Sequence, residues 1–149
     1  MNPQNGYDIE DISVGMSAGI SKTITEADIL LFSAVSTDTN AVHLDEEFGK
    51  TTMFGGRIAH GMLSASLLSA VLGTRLPGPG VIYMSQSLRF RAPVRPGDTV
   101  RAKVTVKEVV LDKGRVVLDT VCTVGDKVVI DGEATLMPTS RKKREAAGK

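Results

Sequence analysis

No tryptophan occurs in this 149-residue chain, and its aromatics are four Phe and two Tyr. Surfaces on which bases could stack are scarce, so a nucleic-acid partner is not expected. The one cysteine, Cys122, excludes an internal disulfide and any metal site built from several thiolates, and suits a reducing cytoplasmic compartment. Histidine occurs only as His43 and His60. A zinc site would then need carboxylates at spacings the chain does not offer, and no metal is expected. There is no Gly-rich phosphate loop and no GxSxG nucleophile elbow. The N-terminal "MNPQNGYDIEDISVG" has neither a cationic nor an apolar signal region. The longest nearly apolar run, 58–72, is interrupted by His60, Ser64, Ser66 and Ser69 and is too short to span a bilayer.

What is present fits one globular domain: 42% apolar and 23% charged residues, enough to bury a core. The net charge of +1 hides an asymmetry. The end, "TSRKKREAAGK", holds five basic residues and one acid, so the rest of the chain is mildly acidic. We read 1–138 as the domain and 139–149 as a disordered, solubilising tail.

Within the domain, 16–24 reads as a short strand. A helix then begins at Thr25, whose spacing to Asp28 suggests a capping box. Ile29, Leu30, Phe32 and Val35 supply its apolar face, and Asp38 stands where it should end. Residues 39–57 have no clean period. "IAHGMLSASLLSAVLG", 58–73, is apolar nearly all round and reads as a buried helix that Gly73 and the Pro-Gly pairs at 77–80 terminate. In "TVRAKVTVKEV" the residues Val100, Ala102, Val104 and Val106 alternate with polar ones, which is strand period, and 81–91, 115–124 and 127–137 follow it more loosely. Short turns at 96–98, 112–114 and 125–127 require antiparallel pairing. The fold class is therefore α+β, a meander of long strands around one buried helix. An exposed strand edge makes a homodimer by sheet extension the expected assembly.

Two stretches carry chemistry. In "STDTNAVHLDEEFG", Asp38 and His43 flank a short irregular segment, and a carboxylate and an imidazole within reach of one water can exchange protons with it. Asn40, between them, can brace the loop or polarise that water. An Asp at a helix end followed by a His is also a common loop pattern, so spacing alone does not decide. In "HGMLSASLLS", Gly61 lies near the start of the buried helix, where free N–H groups and the helix dipole favour a developing negative charge. A glycine for close packing is the plainer alternative. Ser66 and Ser69 share a helix face with Met62, and periodicity does not choose which of the two would hold Asp38 rather than bond back to its own helix. His60 reads as a structural hydrogen-bonding residue.

Together, "DTNAVHLDEEF", "GRIAHGMLSASLLSAVLG" and "LPGPGVIYMSQSLRFRAPVRPGDTV" resemble the MaoC-like (R)-specific enoyl-CoA hydratases, over about residues 10–137. The resemblance implies a hotdog fold, a dimer, and syn hydration of a trans-2-enoyl-CoA to an (R)-3-hydroxyacyl-CoA, with short acyl chains expected and no cofactor beyond the substrate's CoA. It places the catalytic pair on Asp38 and His43, the thioester-binding amide on Gly61 and the supporting serine on Ser69. Many relatives carry Pro where this chain has Ala41, a change that loosens the loop without removing a reacting group. Arg57, Arg89 and Arg91 are candidates for the CoA phosphates. An acyl-CoA thioesterase is the rival enzyme reading, and a non-catalytic acyl-CoA-binding module the rival from another class.

Overall fold

A computed structural model describes residues 1–149. Strand β1 (Ser17–Thr23) leads into helix α1 (Glu26–Ser36) through the expected capping box: Thr25 Oγ1 accepts from the Asp28 amide at 3.2 Å, and Asp28 accepts from the Thr25 amide at 2.9 Å. The apolar face expected on α1 is only partly turned inward. Ile29 is buried and Phe32 half-buried, while Leu30 and Val35 point to solvent, because Ser33 takes the inward position one turn from Ile29. Residues 39–57, which showed no period, form two short helices, α2 (Ala41–Leu44) and α3 (Glu46–Lys50). Each is too short to display one, and each is started by a side chain: Asn40 accepts from the Val42 amide and Asp45 from the Phe48 amide.

Helix α4 (Gly61–Thr74) is the central helix. Leu63, Leu67, Leu68, Val71 and Leu72 are buried against a single antiparallel sheet. The sheet is built from β1, β2 (Ile82–Gln86), β3 (Arg89–Phe90), β4 (Thr99–Val110), β5 (Arg115–Val124) and β6 (Lys127–Met137). Its order is β1-β4-β5-β6-β2, with β3 also on β6. In β4 the alternation read from sequence is the observed one: Val100, Ala102, Val104 and Val106 are buried and their neighbours face out. Gly132 in β6 has a steric reason, since a Cβ there would lie 1.9 Å from the Ser87 carbonyl oxygen, where the chain passes from β2 to β3. The outer stripe of α4, with Met62, Ser66 and Ser69, is exposed in the single chain.

The C-terminal segment differs from the disordered tail expected. Arg141–Ala146 form helix α5, capped by Ser140 and docked on the N-terminal segment. Arg144 makes two hydrogen bonds to Asp8, at 2.6 and 2.9 Å, and Arg141 two to Asp11, both at 3.1 Å. Glu10 accepts from the Ser140 hydroxyl at 2.6 Å. The basic run is thus met by acids 130 or more residues away in sequence, a pairing that no local pattern reveals.

Candidate active site

The first turn of α4 and the loop after α1 close round one cavity of about 490 Å³. Asp38, His43, His60, Gly61 and Ser64 form its polar wall, and Ile58, Ala59, Phe90, Ala92, Val94 and Ile130 much of its apolar one.

Asp38 follows Thr37, which ends α1 in the left-handed conformation with φ 63°. Its amide donates to Ser36 Oγ, and its Oδ1 accepts from the Asn40 amide at 3.2 Å, a tight turn that aims the carboxylate back over α2. His43 lies on α2 and is 8% exposed. Its Nδ1 is 2.8 Å from the Ile58 carbonyl oxygen. A carbonyl only accepts, so the proton is on Nδ1 and in the neutral ring Nε2 is bare. That bare nitrogen stands 3.9 Å from Asp38 Oδ2, a gap open to the cavity on one side.

Gly61 begins α4, and its amide and that of Met62 have no acceptor within the protein. A Cβ on residue 61 would lie 2.6 Å from the Phe90 ring, so glycine here lets the ring cover the helix end. An unpaired amide, the positive end of a 14-residue helix and an apolar cover together make a site for an oxygen that gains negative charge.

Other sequence-based expectations fall differently. Asn40 is exposed and its side-chain oxygen starts α2, so it braces the loop rather than lining the cavity. Ser69 lies on the exposed outer stripe of α4, away from the cavity wall, and the Ser66 hydroxyl is bonded back to the Leu63 carbonyl at 2.5 Å. Ser64 was not singled out from the sequence. It is fully buried, lines the cavity and has a hydroxyl with no partner in the protein. The only hint of it was a polar residue inside an apolar run.

Arg57 is engaged in a structural clamp. It bonds Glu26 at 2.5 and 2.8 Å, reaches Glu46 at 3.3 Å and lies 3.5 Å from the His43 carbonyl oxygen. The Glu26 hydrogen bonds hold its guanidinium above its usual pKa. Arg91 borders the cavity but pairs with Asp131 at 3.0 Å, and Arg89 borders a separate groove beside Asp119, Asp131 and Glu133. Burial pushes the Cys122 thiol up to about 12, so it offers no thiolate nucleophile at neutral pH.

Asp38, His43 and His60 each bring a ligand-type atom within 4.8 Å of the others. The two rings are stacked, with planes 28° apart. Lone pairs lying in two stacked planes so close together converge poorly on one ion, an unfavourable arrangement for a tetrahedral metal.

The MaoC like domain family model matches residues 12–130. An (R)-specific enoyl-CoA hydratase of Rhodospirillum rubrum is 60% identical over 89% of this chain and 92% of that protein. A 3-hydroxybutyryl-CoA dehydratase of Methylorubrum extorquens is 50% identical over 92% of this chain and 86% of that protein. Among solved structures, the (R)-hydratase from Aeromonas caviae involved in PHA biosynthesis superposes with TM-score 0.84 and 42% identity, covering 87% of this chain and 98% of that one. The architecture is thus the hotdog fold, and the chain belongs to the MaoC-like family, beside its (R)-specific enoyl-CoA hydratases.

Proposed function

We propose that the protein is an (R)-specific enoyl-CoA hydratase, a hydro-lyase that adds water reversibly and syn across a trans-2-enoyl-CoA to give an (R)-3-hydroxyacyl-CoA. The observation that carries this reading is the meeting of Asp38, His43 and the free Gly61 amide in one cavity. The thioester oxygen sits on the Gly61 amide, which stabilises the enolate as charge leaves the double bond. The β-carbon then faces the gap between Asp38 Oδ2 and His43 Nε2, where one water is held. The pair carries one mobile proton. The group that has it donates to the α-carbon while the other takes a proton from the attacking water, so the pair ends with one proton again and the C–O and C–H bonds form on the same face. No cofactor enters beyond the CoA of the substrate.

We assign the supporting role of Ser69 to an assembly of two copies. Ile82, Tyr83 and Met84 on the edge strand β2 are 58%, 41% and 40% exposed, and Met62 on the outer stripe of α4 is 54% exposed. Pairing β2 with its counterpart would cover this surface and bring Ser69 against a second chain. A short-chain substrate in the cytosol completes the reading.

Incubation with crotonyl-CoA tests it. Enoyl absorbance should fall without release of free thiol, and chiral analysis should return the (R)-alcohol. Thiol release in step with substrate loss would favour a thioesterase instead.

A further inference from the structure

His60 occupies the N-cap position of α4, yet its side chain caps nothing. It is 2% exposed, and two of its contacts are with the reacting pair, one with the His43 ring and one with the Asp38 carbonyl. One face of the ring stacks on His43, with centroids 3.8 Å apart and planes 28° apart. Phe32 packs on it at 4.9 Å, tilted by 59°. Its Nε2 is 3.0 Å from the Asp38 carbonyl oxygen and 3.1 Å from Ser33 Oγ. Because the carbonyl can only accept, Nε2 must carry the proton, and Ser33 Oγ accepts the second branch of the same N–H. Nδ1 is buried without a partner in the protein.

These contacts are complementary to those His43 makes elsewhere. The Ile58 carbonyl fixes the direction of the His43 ring within its own plane, but a single hydrogen bond leaves the ring free to tilt about that bond. A flat surface at stacking distance removes the tilt. The N–H of the same His60 ring holds the peptide of Asp38, so one side chain sets both sides of the 3.9 Å gap.

We propose that His60 is a positioning residue for the proton-moving pair: in its Nε2–H form, the ring is a shelf under His43 and a clamp on the Asp38 peptide. The assignment rests on the functional reading above. It separates into two contributions that different substitutions remove. His60→Phe keeps a flat ring but loses the donor to Asp38, and His60→Gln keeps an N–H near that position but loses the shelf.

Both variants should lower kcat for crotonyl-CoA by roughly 10- to 100-fold, the range for a group that orients a reacting one, with KM close to the parent value. His60→Ala should lose more, and added imidazole should restore part of its kcat. A role confined to stability would show no such rescue. Long-range proton–nitrogen spectra of the unaltered protein give a second readout independent of activity. Only two histidines are present, so His60→Gln assigns them. The expected neutral forms are Nε2–H for His60 and Nδ1–H for His43.

A neutral His60 protonated on Nδ1, parent-level kcat in folded His60→Phe and His60→Gln, or a folded His60→Ala deaf to imidazole would each overturn the proposal. Should the variants at position 60 fold poorly, His43→Gln assigns the same two signals, and the spectra of the parent still test it. Failure of the parent itself to hydrate crotonyl-CoA would instead sink the functional reading.

Discussion

The Phe90 ring fills the space that a side chain on Gly61 would need, 2.6 Å from where its Cβ would stand. Phe90 is 54% exposed, so the ring can swing aside when crowded. Gly61→Ala should therefore cost little stability, about 1 kcal/mol or less, because no rigid backbone is pressed. The displaced ring enters the cavity over the free amide, and kcat/KM should fall about tenfold or more. Adding Phe90→Ala to Gly61→Ala should recover part of that loss. Thermal unfolding and crotonyl-CoA kinetics on the single and double variants check both halves.

Asp38 and His43 should fail together. Asp38→Asn and His43→Gln preserve shape while removing the ability to exchange a proton, and each should lower kcat by roughly 10²–10⁴-fold. The double variant should be scarcely worse than either single one, because the two share one mobile proton. Additive losses would mean that the groups act in separate steps. Circular dichroism must show all three variants folded for the comparison to count.

The meander and the central helix were legible in the sequence because period-two alternation in residues 99–109 and the apolar run of 58–73 are each long enough to establish a pattern. Asp38, His43 and Gly61 were legible as residue types near predicted element ends, and the structure brings all three to one cavity. Ser64 escaped notice because a helical wheel shows which residues share a face but not which stretch of that face borders a void. The partner of His60 was hidden too: its donor goes to a carbonyl 22 residues away, and main-chain acceptors leave no mark in a sequence. The docking of α5 failed to show for the reason that Asp8 and Arg144 are 136 positions apart and each, read locally, is a surface charge.

That last pair sets a pH dependence. The Arg144 hydrogen bonds hold the Asp8 carboxyl down at about 2, against an ordinary value near 3.8. A carboxylate with a depressed pKa in the folded chain contributes stability that is fully present above the unfolded value and is lost as pH falls through the folded one. Arg144→Met should thus destabilise the protein at pH 7 by about 2 kcal/mol, since it leaves the fully buried Asp8 charge without its main partner. The gap between parent and variant should close as pH falls from about 4 toward 2. Denaturant unfolding at several pH values measures it. A gap that persisted at low pH would locate the effect in packing of the arginine stem rather than in its charge.

The edge strand offers the remaining test. Ile82, Tyr83 and Met84 leave a row of apolar side chains and unpaired backbone groups at one end of the sheet order, where a second copy could continue it. Met84 is 40% exposed in the single chain, so a charge there costs a lone subunit little but must be desolvated if two edges meet. Light scattering should give a dimer for the parent and a shift toward monomer for Met84→Lys at equal concentration. In the proposed assembly Ser69 would meet a second chain, so activity should fall with the dimer fraction and recover as protein concentration rises. A parent that is monomeric and fully active would remove both the interface and any role for Ser69.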